Sequence, residues 1–133
     1  MKDFNDNNRC FVCGPANPNG LKLSFQNNEE KDRVEAEICF PAHLQGWGNV
    51  VHGGLVSTVL DEIMIKAAHA KKFKCVTGEI TVKFKKPTFT EKKYFVSGKV
   101  TEARSRLVMT EATITDEEGN ITARSSGKLF TVS

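Results

Sequence analysis

Long hydrophobic runs are absent from this sequence, and its first ten residues, MKDFNDNNRC, are polar. A membrane span needs roughly 18 or more apolar residues in a row, and a secretory signal needs an apolar core behind a basic start. We therefore expect a cytoplasmic protein with no membrane partner. The 133 residues are the size of one ordinary domain. We expect one domain over residues 1–133, with residues 1–20 forming an N-terminal tail and loop.

Net charge is also small, at +3. Domains that bind nucleic acid usually carry a much stronger basic bias, so no nucleic-acid partner is expected and an anionic small ligand is favoured. The basic residues do cluster, at 71–74, at 83–86, and at Arg104 with Arg106. Such clusters are either solvated surface that discourages strand aggregation or binding sites for phosphate. The sequence leaves both interpretations open.

Cysteine is scarce, with four residues in a chain that shows no export signal: Cys10, Cys13, Cys39 and Cys75. Reduced thiols are expected rather than a disulfide framework. Cys10 and Cys13 form a CxxC pair, but a structural zinc site needs two more ligands at matching spacing. We therefore expect no metal site, and we interpret the cysteines as small buried hydrophobic residues.

What is present is a clear change of hydrophobic period. Apolar residues alternate with polar ones over 21–25 and over 34–40, which predicts a hairpin. From Gly53 they recur at three- and four-residue spacing, which predicts a helix of about sixteen residues. That helix is apolar nearly all round, as buried helices are.

Four further alternating segments follow, at 75–86, 94–104, 106–116 and 120–132. Short connections join them, so consecutive strands are expected to pair antiparallel. The elements together predict an α+β fold, with an antiparallel sheet curled around one long central helix.

The start of the predicted helix has features of a binding site. His52, Gly53 and Gly54 lie there, and no Ser, Thr, Asp or Asn immediately precedes the helix as a side-chain cap. Uncapped backbone N–H groups at a helix N-terminus form an electropositive cradle, and glycines let a substrate carbonyl approach it closely. The alternative is that the two glycines only permit a tight junction between loop and helix.

Asp61 lies two turns into this apolar helix, where a carboxylate is rarely buried without a partner. Its stripe of the helix carries small and polar residues, whereas Glu62 has Lys66 one turn later and is expected to form a surface ion pair. Asp61 is therefore the better candidate for chemistry. A carboxylate facing a helix-terminal oxyanion site is what thioester hydrolysis requires.

The segment HGGLVSTVLDE, residues 52–62, resembles the signature of the phenylacetate-pathway and human Them-type hotdog thioesterases, which include a four-hydroxybenzoyl-CoA thioesterase branch. FVCGPANPNGLKLSF and the FKKP at 84–87 extend the resemblance over nearly the whole chain. It implies a hotdog fold that hydrolyses acyl-CoA without a cofactor. It also implies that each site is shared between two subunits. One short sheet around an apolar helix leaves the helix flank and the sheet edges exposed, so a homodimer or a dimer-of-dimers tetramer is expected.

The resemblance further implies individual roles. The N–H of Gly53 would polarise the thioester carbonyl, with His52 and Gly54 shaping the substrate-binding loop. Asp61, reaching in from the partner subunit, would act as general base or as nucleophile. Thr77 matches a Ser or Thr that helps to position the attacking water.

The turn at 102–107 matches a segment that touches coenzyme A in the family, so Arg104, Ser105 and Arg106 are predicted to bind the substrate, with the arginines pairing with phosphates. One position departs from the family pattern. Many relatives carry an Asn six residues before the histidine to hold the substrate, where this chain has Gly46. Asn49 lies nearby but out of register as a replacement.

Two other functions are compatible with the same fold. A hydratase or dehydratase acting on an acyl thioester would pair a histidine with a carboxylate across subunits, but the longer histidine motifs of those enzymes are absent. A non-catalytic acyl-CoA-binding module usually needs an attached output domain, for which 133 residues leave no room. The thioesterase hypothesis is therefore favoured, with the acyl group left open.

Overall fold

A computed structural model describes residues 4–132. Within them lie one long helix, a short 3-10 turn at Ala42–Leu44, and a six-stranded antiparallel sheet. The helix α1 spans Gly53–Ala70, and the strands are β1 Gln26–Asn28, β2 Arg33–Cys39, β3 Cys75–Phe84, β4 Lys93–Arg104, β5 Leu107–Thr115 and β6 Ile121–Thr131. The predicted α+β hotdog fold, an antiparallel sheet around one helix, is confirmed.

The strands lie in the order β1-β2-β4-β5-β6-β3. The expectation that all consecutive strands pair is wrong at one point, because β3 pairs with β6 at the edge of the sheet and not with β4. The connection at 85–92 runs beside the loop that precedes α1, where the Val51 N–H donates to Thr88 O at 2.8 Å. Eight extended residues reach up to about 26 Å, enough to pass two intervening strands. The short connection between β3 and β4 therefore does not require these two strands to pair.

The N-terminal hairpin exists but is shorter than predicted, since β1 begins only at Gln26. The N–H groups of Leu21 and Leu23 donate instead to Phe11 O and Val12 O of the N-terminal loop, both at 2.8 Å. The two leucine side chains pack against the core from this extended segment. Their alternation thus reflects one-sided burial without strand pairing to β2.

Helix α1 forms the centre of the core, and its 18 residues make it slightly longer than predicted. The buried side chains on it are Val56, Val59, Leu60, Ile63, Met64, Ala67 and Ala68. Two glycines let the sheet approach closely: a Cβ on Gly98 would lie 3.0 Å from Ile63 O, and one on Gly127 would lie 3.0 Å from Met64 Cε. Helix and sheet are therefore in direct contact along the middle of α1.

The four cysteines are free thiols, but the interpretation of all of them as buried is wrong. Cys39 is exposed at the end of β2, while Cys10, Cys13 and Cys75 are half-buried. Because successive residues of a strand point to opposite faces, Ile38 takes the inward position and Cys39 the outward one.

In the described part of the chain, no helix is long and apolar enough to cross a membrane.

Candidate functional site

The start of α1 is capped, contrary to the expectation from its sequence. His52 is the N-cap residue, and its Nδ1 accepts a hydrogen bond from the Gly54 N–H at 3.0 Å. The N–H groups of Leu55 and Val56 donate to His52 O at 2.9 and 3.1 Å. Among the described residues, none accepts a hydrogen bond from the Gly53 N–H, and Gly53 is exposed. One of the four N-terminal donors is therefore available to a ligand.

The loop before the helix is held by backbone hydrogen bonds. The His52 N–H donates to Leu44 O at 2.9 Å, and the Gly46 N–H donates to Val50 O at 2.8 Å. A Cβ on Gly46 would lie 3.4 Å from His52 Cα, an ordinary contact distance. Position 46 thus faces the histidine, with room for a Cβ.

Two other residues of this loop lie near the helix start, Asn49 and Trp47. Asn49 has a φ of 63°, and its N–H donates to Gln45 Oε1 at 2.9 Å, so its backbone shapes the turn. Trp47 is 86% exposed, which excludes packing beneath the loop of its own chain. Its ring is available to line a surface or a pocket completed by another molecule.

Asp61 faces the edge strand β3. The Thr77 hydroxyl donates to Asp61 Oδ1 at 2.6 Å, and both residues are half-buried. The neighbouring hydroxyls of Ser57 and Thr58 donate to carbonyl oxygens of their own helix, at 3.0 and 2.8 Å. Asp61 is thus the chemically available group of this stripe, and the structure brings it together with Thr77.

Asp61 and Gly53 are not brought together within one chain. They are eight residues apart on α1, which corresponds to about 12 Å along a helix axis. Gly53 lies beside the far end of β3, where a Cβ would sit 3.4 Å from the Phe84 ring. A single carbonyl cannot contact both groups of the same subunit.

The turn between β4 and β5 lies at the same end of the sheet as Thr77. Thr77 is paired with Leu129 of β6, which is paired with Val108 of β5. These three residues form one row, so the turn begins about two strand spacings, or roughly 10 Å, from Thr77.

The predicted coenzyme A residues lie on this turn and are exposed. Arg104 pairs with Glu102 at 2.7 Å, and Arg106 donates to Thr131 O at 3.2 Å. Ser105 has a φ of 57° and forms the tip. Both guanidinium groups are therefore partly engaged in their own chain, while their remaining N–H groups can reach a ligand.

A cavity of about 830 Å³ lies elsewhere. It is on the outer side of the sheet, lined in part by Arg33, Glu35, Phe95 and Ser97, and contains none of the predicted site residues.

Glu62 is not the surface residue that its spacing to Lys66 suggested. The ion pair with Lys66 exists at 3.8 Å, but the Glu62 side chain is only 16% exposed. The Cys10 thiol, 52 residues away in sequence, donates to Glu62 Oε1 at 3.6 Å. Burial, the Cys10 hydrogen bond and the Glu62 carboxylate raise the pKa of Cys13 to about 12. The local sequence around Glu62 carried no signal of this long-range contact.

The Thioesterase superfamily model matches residues 48–123, more than half of the chain, covering the helix start, Asp61, Thr77 and the arginine turn. The chain belongs to the thioesterase superfamily. A protein of Saccharolobus solfataricus, named a presumed esterase, is 27% identical over 105 residues, which are 77% of this chain and 74% of that relative.

Solved structures show the same fold at lower identity. The crystal structure of another thioesterase superfamily protein has a TM-score of 0.87 and 21% identity, covering 94% of this chain but only 61% of its own length. A protein of Streptococcus mutans bound to acetyl CoA has a TM-score of 0.77 and 16% identity, with 84% and 89% covered. The E. coli PaaI protein, from the phenylacetic acid degradation operon, has a TM-score of 0.76 and 15% identity, with 85% and 81% covered.

Proposed function

We propose that this protein hydrolyses acyl-CoA thioesters to a free acid and coenzyme A, at a site formed where two subunits meet. The observation that carries the proposal is the pair of Asp61 and Thr77 on one side of α1, with a Gly53 N–H at the helix start that has no acceptor among the described residues. Membership of the thioesterase superfamily supports the reaction class. We place this activity in one domain over residues 1–133 of a cytoplasmic protein.

Asp61 is suited to the role of general base. The Thr77 hydroxyl donates to Oδ1, which orients the carboxylate and leaves Oδ2 to accept a proton from water. Water then attacks the thioester carbonyl carbon while Asp61 takes its proton. When the C–S bond breaks, the coenzyme A thiolate takes up that proton. Thr77 acts as a positioning residue because its contact is with Asp61.

Gly53 is suited to stabilise the negative charge that develops on the carbonyl oxygen. Its N–H is exposed, lacks an acceptor within residues 4–132 and lies at the positive end of the helix dipole. His52 supports this role because its cap on Gly54 fixes the first turn of the helix.

A shared site follows from the separation of these groups. A general base must lie within about 3 Å of the attacking water, and an oxyanion donor within about 3 Å of the carbonyl oxygen. The distance of about 12 Å along α1 between Gly53 and Asp61 exceeds that reach. We propose a two-fold arrangement in which Gly53 of one subunit lies beside Asp61 of its partner. A homodimer, or a tetramer built from two such dimers, satisfies the geometry.

The experiment that tests this proposal combines two variants in one dimer. Gly53→Pro removes the proposed N–H donor, and proline is well tolerated at the first helical position. His52, with a ψ of 130°, already has the extended conformation that a following proline requires. Asp61→Asn removes the proposed base. Each homodimer is expected to be inactive against a panel of short, medium, long and aromatic acyl-CoAs.

A hybrid dimer, purified through a different tag on each subunit, should recover about half of the wild-type activity. One of its two shared sites then has both an intact Gly53 and an intact Asp61. Hybrids of two Asp61→Asn chains carrying the two tags serve as the control and should stay inactive. An inactive mixed hybrid would contradict the shared site, and an inactive wild type across the whole panel would contradict the thioesterase proposal.

A further inference from the structure

Three potential metal ligands converge on the side of α1 that faces the N-terminal loop. The two thiols of Cys10 and Cys13 and a carboxylate oxygen of Glu62 all lie within 4.8 Å of one another. The three residues are half-buried. Since Cys10 and Glu62 are 52 positions apart in sequence, the cluster joins two distant segments of the chain.

The spacing of the ligand atoms fits a tetrahedral metal ion. With Zn–S of about 2.3 Å and Zn–O of about 2.1 Å, a sulfur and an oxygen bound to one tetrahedral zinc lie about 3.6 Å apart. Cys10 Sγ and Glu62 Oε1 are 3.6 Å apart. Two sulfurs bound to the same ion lie about 3.8 Å apart. Because the three ligand atoms already lie within 4.8 Å of one another, the Cys13 sulfur needs to move by at most about 1 Å to bind the ion.

The loop that carries the two thiols is shaped around them. The Cys13 N–H donates to Cys10 Sγ at 3.5 Å, and the Gly14 N–H donates to Cys10 O at 2.9 Å. A Cβ on Gly14 would lie 2.3 Å from the Cys10 nitrogen, so only glycine fits this tight turn. The turn presents both sulfurs on the side of the loop that faces Glu62.

Lys66 supplies a partner for the carboxylate without using the ligand oxygen. It pairs with Glu62 Oε2 at 3.8 Å, whereas the contact to Cys10 is through Oε1. Carboxylates that bind metals are commonly held by such an outer partner. The Lys66 ammonium also lies 5.8 Å from the centre of the Phe25 ring, which gives it a second favourable contact.

We propose that Cys10, Cys13 and Glu62 bind a zinc ion, with water in the fourth position. Two thiolates and one carboxylate, with one pair at tetrahedral spacing and the third ligand close to it, favour zinc among the common divalent metals. On binding, the two thiols release their protons to solvent, and the cation offsets the negative charge of its three ligands. The ion would join the N-terminal loop to α1 at the residue next to Asp61 and so stabilise the folded chain, without touching the substrate.

The test uses the full chain, purified in reducing buffer, stripped with a chelator and titrated with Zn²⁺. We expect one zinc per chain by elemental analysis, and a higher Tm after zinc is added. Cys13→Ser should lose the zinc, and Glu62→Gln should bind it at least about tenfold more weakly. The matched controls are Cys39→Ser and Cys75→Ser, which remove the two thiols outside the cluster and should keep one zinc per chain.

Titration of the wild type with Co²⁺ covers the case in which a cysteine variant does not fold. A charge-transfer band from thiolate to cobalt is expected, and Zn²⁺ should displace it. Failure of the stripped wild type to take up Zn²⁺ would overturn the proposal. So would an equal loss of zinc in the Cys39→Ser control, or a Cys10–Cys13 disulfide that persists in reducing buffer.

Discussion

Asp61 and Glu62 are consecutive carboxylates on one helix, yet they lie in two different regions of the molecule. Successive residues of an α-helix point about 100° apart. Asp61 therefore faces β3, where it meets the Thr77 hydroxyl, and Glu62 faces the N-terminal loop, where it meets Cys10 and Lys66. One neutral donor orients the first carboxylate, whereas a thiol and an ammonium surround the second. The neighbours supplied by the fold, and not the residue type, separate the two carboxylates.

The greatest loss of activity is expected from Asp61→Asn, which keeps the shape of the side chain and removes its charge. Loss of a general base typically lowers kcat by about 100- to 10,000-fold. Steady-state hydrolysis of acyl-CoA measures the change, and an unshifted Tm would show that the variant is folded. Glu111→Gln, which removes an exposed partner of Lys99, is the matched control. If Asp61→Asn kept the wild-type kcat, Asp61 would not be the catalytic carboxylate and would not differ from Glu62 in this respect.

A smaller loss of activity is expected from Thr77→Val, which has nearly the same shape and cannot donate to Asp61. A hydrogen bond to a charged group contributes about 1.5–3 kcal/mol, which corresponds to a loss of roughly 10- to 160-fold in kcat. Thr77→Ser keeps the hydroxyl and should retain most of the activity. Equal rates for the valine and serine variants would mean that this hydroxyl does not position the carboxylate.

A still smaller effect, confined to KM, is expected when Arg104 and Arg106 are both replaced by alanine. The nucleotide part of coenzyme A is remote from the bond that breaks, so contacts to it contribute uniform binding, and KM should rise several-fold while kcat changes little. Added salt should shrink the difference. A short thioester without the nucleotide is the control, and both proteins should hydrolyse it equally. An unchanged KM at low salt would leave these arginines as surface residues.

The weakest effect is expected in the Glu62 region, from Lys66→Met. This change keeps an apolar side chain of similar length and removes the ion pair with Glu62. Partly exposed pairs of this kind contribute about 0.3–1 kcal/mol to the free energy of unfolding. Urea denaturation measures that loss. A loss of several kcal/mol would show that Lys66 has a larger structural part in the Glu62 region than the geometry indicates.

Much of the fold could be predicted from hydrophobic periodicity. The start of α1 at Gly53, its apolar surface and the last four strands follow from which residues must be buried. The alternation at 21–25 was misleading because a loop that packs one side on the core shows the same pattern as a strand. The prediction of an uncapped helix start was also wrong. His52 is not among the usual capping residues, but its ring nitrogen accepts the hydrogen bond from the Gly54 N–H.

The sequence pointed to two residues that the structure brings into contact, and their catalytic roles stay a prediction. Helical spacing singled out Asp61, and the family resemblance added Thr77, with which the structure shows a hydrogen bond. Local spacing assigned Glu62 to a surface ion pair, because a pattern of four residues cannot reveal a cysteine 52 positions away. Glu62 was misjudged because its partner is distant in the sequence, and not because the contact is weak or strong.

Local spacing and the cost of burying charge were enough to specify the elements, their buried faces and a carboxylate inside an apolar helix. The three-dimensional structure was needed to establish that β3 pairs with β6 and that Cys10 lies against Glu62. Those facts depend on contacts between segments distant in sequence, which form only when the sheet closes around α1.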